Sequence, residues 1–416
     1  MSDDPATSDD LLDSESEVSA TPLTEPRDGT PEPVTDDARL RAYTELLAAG
    51  TGPIAVDAER ASGYRYGQRA YLVQLRREGA GTALIDPIAL TDFTPLAEAL
   101  TGPEWVLHAA SQDLPCLTEL GLRPTRLFDT ELAARLAGFE RVGLAALTER
   151  LLGYSLQKHH SAADWSNRPL PESWLTYAAL DVEMLIELRD ALEAELERQG
   201  KLAWAEEEFS ALVSAPPAPP RVDPWRRTSG IHKVRGPRGL ARLRALWIAR
   251  DTIATRRDTA PGRILPDSAL IGAAQADPKT EEELLALPIF GGRSTRRLSK
   301  VWLDALSESR LIPESELPVS NPPSDAPPPP HRWAEKEPLA AARLTRAREV
   351  IIAMAATHGL PQENLISPDS VRRLCWTPPE PVEDASVAAF LRRLGTRQWQ
   401  VDLVTPALVA AFHEVD

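Results

Sequence analysis

Residues 54–76 read IAVDAERASGYRYGQRAYLVQLR. Two apolar runs frame this stretch, Pro53–Asp57 and Ala70–Arg76, and each has the β-branched and aromatic content of a strand. The Gly- and Tyr-containing segment between them reads as a loop. Asp57 and Glu59 are two residues apart at the end of the first strand, so the period-two alternation puts both carboxylates on one face. Working outward, Thr82–Asp86 (TALID) is a third strand and Glu104–His108 (EWVLH) a fourth. Helical periodicity marks Ala38–Ala49 and Phe93–Leu100, then Asp113–Leu120, Asp129–Ala137, Gly143–Leu152 and Glu172–Gly200. Strands first, then strands alternating with helices, imply a mixed α/β sheet domain.

The rest of the 416 residues divides by composition. Residues 1–37 hold many Asp, Glu, Ser, Thr and Pro and few large apolar side chains, and are expected to form a disordered acidic tail. The sheet domain is expected over 38–214. A Pro-rich spacer, Ala215-Pro-Pro-Ala-Pro-Pro220, opens a linker over 215–235. Residues 236–316 show helices and no strand signal. Leu317–Pro330 (LPVSNPPSDAPPPP) opens a second linker over 317–331, and 332–416 is again helical.

Two cysteines are too few for a disulfide framework and fit a reducing cytoplasm. The amino terminus has neither the basic nor the apolar region of a secretory signal, and no apolar run is long enough to span a membrane. A cytoplasmic address, no membrane partner and a monomer are therefore expected. The net charge of −16 is unevenly spread. Residues 221–317 carry 18 basic and 12 acidic side chains, whereas 40–215 carry 16 basic and 26 acidic. An acidic domain beside a basic one suits cation binding next to a polyanionic strand.

Three acidic elements stand out. Asp57 and Glu59 read either as a solvated strand end or as a paired cation site. Asp113 follows the Glu104–His108 strand at a helix start, where it reads equally as an N-cap. Tyr177 and Asp181 are four apart on a helix and share a face, which alone is consistent with a surface hydrogen bond.

Taken together, an Asp-x-Glu on the first strand, a later Asp after a strand, and a Tyr-x-x-x-Asp on a long helix resemble the DEDD exonuclease superfamily in its tyrosine variant. The histidine variant needs a His five residues before Asp181, where this sequence has Thr176. The segments VLHAASQDLPCL, LFDTELAARLAG and LQKHHSAADWSNRPLPESWLTYAALDVEMLIEL resemble the ribonuclease D family without a large gap from about residue 40 to 210. Residues 236–310, with LARLRALWIARDTIATRRDTAPGRILPDSALIG and FGGRSTRRLSKVWLDAL, resemble an HRDC domain. Residues 332–416 resemble a second, degenerate HRDC-like region of actinobacterial members.

The resemblance implies a ribonuclease H-like mixed sheet with flanking helices, followed by all-α HRDC-type domains. It implies catalysis by Asp57, Glu59, Asp113, Tyr177 and Asp181, with the four carboxylates holding two divalent ions, Mg²⁺ or Mn²⁺. Hard cations prefer such oxygen ligands. Tyr177 would orient the attacking water. Asp129 reads as a support for the ligands or as a helix cap. Nucleic-acid contacts are expected at Tyr64, Tyr66, Arg69, Lys158, Arg168, Arg293, Arg296 and Arg297, and basic Arg250, Arg256, Arg257, Arg263 and Lys300 are further candidates. His159 and His160 do not read as a zinc site. The implied activity is a metal-dependent 3′→5′ exoribonuclease acting on tRNA precursors or other structured RNA. The same chemistry on DNA and an inactive nucleic-acid-binding adaptor are the alternatives. The sequence contains no GxxxxGK[ST] helicase motif, which favours RNA.

Overall fold

The computed structural model describes residues 20–156, 163–320 and 325–416. Its first domain is built on a five-stranded sheet of order β4-β3-β2-β5-β6. The strands are β2 (Thr51–Arg60), β3 (Ala70–Glu78), β4 (Gly81–Ile85), β5 (Glu104–Leu107) and β6 (Arg126–Asp129). β2, β3 and β4 form an antiparallel meander, while β5 and β6 run parallel to β2. A separate parallel pair joins β1 (Thr21–Leu23) to β7 (Tyr154–Leu156).

Helix α1 (Asp37–Ala49) starts at Asp36, whose side chain accepts from the Arg39 amide. With α2 (Thr94–Ala99) and α3 (Leu114–Glu119) it covers one face of the sheet through Leu40, Leu47, Leu96 and Leu117. The other face carries α6 (Glu172–Glu183), whose fully buried Ala178 and Ala179 pack on Leu72 and Leu84. Small residues there let the helix lie close to the sheet in which β2 bears Asp57 and Glu59. Helices α4 (Thr130–Leu136), α5 (Leu144–Leu152), α7 (Leu185–Arg198) and α8 (Leu202–Ser214) complete the domain.

The sequence reads Glu172–Gly200 as one helix, but the structure breaks it at Met184, with φ −110° and ψ 5°. No Gly or Pro marks the break. Tertiary contacts impose it, because Glu183 is buried against Arg76 and Arg27 while Leu185 turns into the β2–β5 face. Strands β6 and β7, four and three residues long, escape a reading by alternation.

The expected disordered tail is corrected for residues 20–36. They contain β1, Val34 bridges to Ile85, and Arg27 pairs with Glu187 at 2.5 Å. Their composition offers little apolar surface, but the folded domain supplies ion-pair and strand partners. Residues 1–19 lie outside the described residues.

The second domain contains α9 (Gly236–Arg257), α10 (Pro261–Ile264), α11 (Asp267–Ala276), α12 (Glu281–Leu285), α13 (Arg293–Arg296) and α14 (Ser299–Leu311). Its core includes Trp225, buried with Val234 against Leu240, Leu243 and Trp302. The linker expected over 215–235 therefore ends near residue 223, because a buried tryptophan belongs to the fold it stabilises.

The third domain contains α15 (Trp333–Lys336), α16 (Pro338–His358), α17 (Gln362–Leu365), α18 (Pro368–Trp376), α19 (Asp384–Arg393) and α20 (Gln398–His413). It shares one hydrophobic core with the first domain: Leu136, Leu192 and Phe209 pack with Leu344, Leu374 and Leu408. Trp204 stacks on Trp399, centroids 4.9 Å apart and planes 13° apart. Glu207 accepts from the backbone amides of Gln398 and Trp399, the start of α20, where a carboxylate also opposes the helix dipole. Gly138, at φ +83°, comes so close that a Cβ would lie 2.5 Å from the Gly359 carbonyl oxygen. No helix among the described residues is long and apolar enough to cross a membrane.

Candidate active site

Strand β2 presents Asp57 and Glu59 to the α6 face, opposite Gln74 and Leu72 of β3. From α6, Asp181 reaches the same point. One carboxylate oxygen from each of Asp57, Glu59 and Asp181 lies within 4.8 Å of the other two. Oxygens trans across Mg²⁺ are about 4.2 Å apart, so small rotamer changes bring the three onto one ion. The donor set is all oxygen, as hard cations require.

Asp113 follows β5 and a short 3₁₀ turn, and is 5% exposed. It starts α3 without capping it through its side chain, so the N-cap reading fails for this residue. Its Oδ1 pairs instead with the Arg60 guanidinium at 3.5 Å. Arg60 directly follows the Asp-x-Glu, and its role is absent from the sequence reading. It brings positive charge to the one acid of the four outside the trio.

Four acids crowded into a buried corner shift one another. Burial and the charges of Asp57, Asp181 and Asp113 push the Glu59 carboxyl up to about 10. Burial, with Asp57 nearby, pushes Asp113 up to about 8 despite Arg60. Burial raises Asp57 to about 6 and Asp181 well above the carboxylate range. Such a cluster is poised to bind cations, because each added positive charge removes repulsion.

Tyr177, one turn before Asp181, hydrogen-bonds to the Asp181 carboxylate. Burial and the neighbouring acids raise its phenol far above the ordinary value near 10. It therefore stays protonated and acts as a donor, not as a base. Its ring adjoins Trp165, centroids 6.5 Å apart.

Asp129 is both a cap and a support. Its Oδ1 accepts from Glu131 and Leu132 at the start of α4 and from Ala109, and its Oδ2 accepts from Ala110. Ala109 sits at φ 59°, ψ 51°, a left-handed conformation that costs an L-residue roughly 1–2 kcal/mol. The Asp129 carboxylate thus fixes the strained turn that delivers Asp113. We expect Asp129→Ala to lower stability by about 1–3 kcal/mol and catalytic turnover by about 10–100-fold. Thermal melts and single-turnover rates check this. Lost stability with unchanged turnover would show that the turn holds Asp113 unaided.

A cleft of about 270 Å³ opens beside the acids, lined by Glu59, Arg60, Ser62, Gly63, Tyr64 and Ala163. The expected nucleic-acid contacts fare unevenly around it. Tyr64 borders the cleft, with the Arg263 guanidinium 4.0 Å from its ring centroid. Tyr66 donates to Asp251 at 3.1 Å, and Arg69 reaches Asp258 at 3.4 Å. Those two contacts tie the loop after β2 to the second domain, and Arg69 stays exposed. Arg263 also donates to the Gly63 carbonyl at 2.8 Å.

Arg168 is a structural cross-link. It forks onto Asp86 at 2.6 and 2.8 Å and donates to the Tyr71 and Trp165 carbonyls. A guanidinium with every arm engaged has little left for phosphate. Arg250 is likewise buried on Asp267 and the Leu265 carbonyl. Lys300 is exposed and pairs with Asp304. Arg293, Arg296 and Arg297 are exposed, with no ion-pair partner among the described residues. Lys158, His159 and His160 lie outside the described residues.

Three family models match the chain: a 3′–5′ exonuclease over residues 31–197, an HRDC domain over 239–306, and a 3′ to 5′ exonuclease C-terminal domain over 326–412. Ribonuclease D of Acidiphilium cryptum is 36% identical over 312 residues, covering 70% of this chain and 76% of that protein. Ribonuclease D of Pseudomonas paraeruginosa is 32% identical over 320 residues, covering 73% and 83%. A crystal structure of a protein from Bifidobacterium adolescentis matches with TM-score 0.87 and 40% identity, over 95% of this chain and all of that one. The crystal structure of Escherichia coli RNase D, described as an exoribonuclease involved in structured RNA processing, matches with TM-score 0.66 and 28% identity, over 92% and 98%. On this sequence similarity, and with the acids gathered as such an enzyme requires, the chain belongs to the ribonuclease D family of 3′–5′ exonucleases.

Proposed function

We propose that the protein removes nucleotides one at a time from the 3′ ends of tRNA precursors or other structured RNAs, using two divalent ions. The observation that carries this reading is the convergence of Asp57, Glu59 and Asp181 oxygens within 4.8 Å on a buried sheet face. Two bound ions would supply an activated water and charge stabilisation at the departing 3′ oxygen. Asp57, Glu59 and Asp181 would hold one ion, and Asp57 with Asp113 would hold the other. Tyr177, protonated and bonded to Asp181, orients the attacking water. The cleft beside Glu59 and Tyr64 receives the terminal nucleotide. Exposed Arg293, Arg296 and Arg297 lie on the basic domain and engage the strand upstream.

Tyr177→Phe removes a positioning hydroxyl and leaves the ligands in place. Its kcat is expected to fall by about a hundredfold with little change in KM. A drop confined to KM would assign Tyr177 to substrate binding instead.

The substrate assignment is tested with matched RNA and DNA oligonucleotides that carry a structured 5′ part and a free 3′ overhang. Faster trimming of RNA is expected, ending near the duplex. Trimming of DNA alone would overturn the RNA assignment and leave the exonuclease intact. Because the third domain shares the core of the first, truncation is a poor probe of strand binding. Charge removal at Arg293, Arg296 and Arg297 is the cleaner one, and should reduce the salt dependence of RNA binding.

A further inference from the structure

Gln74 lies in the middle of β3 and is fully buried, yet neither its Oε1 nor its Nε2 has a hydrogen-bond partner among the described residues. Burying an unpaired amide is costly, and native structures avoid it unless something else engages the group. The sheet register shows what is near. Gln74 pairs with Asp57 on β2 and with Leu84 on β4. Directly opposed residues in antiparallel strands project from the same face with Cβ atoms about 4.5–5.5 Å apart. Glu59 and Asp181 share that face and Glu183 pairs with Arg76, but none of them directly opposes Gln74 in the sheet register. Leu72, Leu84, Ala178 and Ala179 are apolar and fully buried. Arg76, two residues along β3, is itself a donor and is committed to Glu183, Asp28 and Thr82. The Asp57 carboxylate is thus the acceptor that directly opposes the Gln74 amide. Asp57 also accepts from the Ala58 backbone amide.

We propose that Gln74 is a positioning residue for the cation site: its side-chain Nε2–H donates to Asp57 when ions are bound, and fixes the rotamer from which Asp57 serves both. A carboxylate that bridges two cations uses one lone pair per ion and keeps others for an outer donor. Such an outer hydrogen bond restricts the ligand and raises the affinity of the site. A buried amide without a partner is costly, and a hydrogen bond to Asp57 relieves that cost.

This inference rests on the two-ion reading, and its test separates the two. Full-length Gln74→Leu and Gln74→Met both fill the site without an amide. For each, Mn²⁺ binding is followed by calorimetry, ion-free melting is recorded, and kcat and KM are measured on labelled RNA. The expected result is Mn²⁺ affinity reduced by about tenfold or more, kcat reduced, KM for RNA unchanged, and a melting temperature in EDTA equal to or above that of the wild type. Higher ion-free stability with unchanged Mn²⁺ affinity and kcat in both variants would overturn the role of Gln74 and leave the two-ion reading standing. A wild-type protein that binds no Mn²⁺ would overturn both.

Discussion

Asp57→Ala should abolish measurable turnover, a loss of at least about a thousandfold, and should melt at a higher temperature than the wild type in EDTA. The two halves follow from one fact. Asp57 is the ligand common to both proposed ion positions, and without it neither ion is correctly held. It is also a half-buried acid facing Glu59 and Asp181, and its charge raises the carboxyls of Glu59, Asp113 and Asp181. Removing it relieves that repulsion. A gain of 1 kcal/mol corresponds to roughly 2–4 °C in a domain of this size. Arg60, paired with Asp113, would then compensate a larger share of the remaining acids. An inactive variant that is also less stable without ions would show that Asp57 serves the fold, contrary to the site proposed here.

The second large effect is the pH dependence of stability and its reversal by Mg²⁺. Asp57, Asp113 and Glu59 titrate in the folded, ion-free protein at about 6, 8 and 10, above their ordinary values near 4. Between those limits the folded state binds more protons than the unfolded chain, so stability falls as pH rises. The contribution is fully present below about pH 4, is lost progressively as pH rises from there, and the loss levels off above about pH 10. Other groups act in the opposite sense at acid pH. Glu195, held at about 2 by Arg198 and Gln199, contributes stability that is lost as pH falls. The clean measure is therefore the difference between wild type and Asp57→Ala from pH 6 to 9. In EDTA the wild type should lose melting temperature more steeply. With Mg²⁺ the loss should disappear, because the ions replace the protons, and the stabilisation by Mg²⁺ should grow with pH. Proton release on Mn²⁺ binding, read by calorimetry in buffers of different ionisation enthalpy, checks the same linkage. A wild-type melting curve independent of pH and of Mg²⁺ would contradict the electrostatic account.

Much of this site is legible in the sequence. Asp57 and Glu59 share a face because strands alternate, and Tyr177 and Asp181 share one because helices repeat every 3.6 residues. These are local geometric facts. That the two pairs meet is not local, because it depends on α6 lying across β2, β3 and β4. The family resemblance supplied that expectation; periodicity could not. The same limit hides long-range partners. Arg168, Tyr66 and Arg69 are chemically suited to RNA, and in the fold they contact Asp86, Asp251 and Asp258. Nothing near them in sequence announces those partners. Residues 20–36 look unstructured by composition and are held by Glu183, Glu187 and β7, which lie more than 100 residues away. Gln74 reads as an ordinary strand residue until its burial and its register with Asp57 are known. The break at Met184 has no signal of its own, since it answers to the packing of Glu183 and Leu185.

The central claim, metal-dependent exonucleolytic cleavage at the acidic cluster, is tested most directly on RNA labelled at its 3′-terminal nucleotide. Purified protein is supplied with Mg²⁺, with Mn²⁺ or with EDTA, beside Asp57→Ala. Release of the label as a mononucleotide with either ion, and none in EDTA or from Asp57→Ala, is the predicted result. Cleavage that persists in EDTA, or release of the label within longer 3′-terminal fragments, would contradict it.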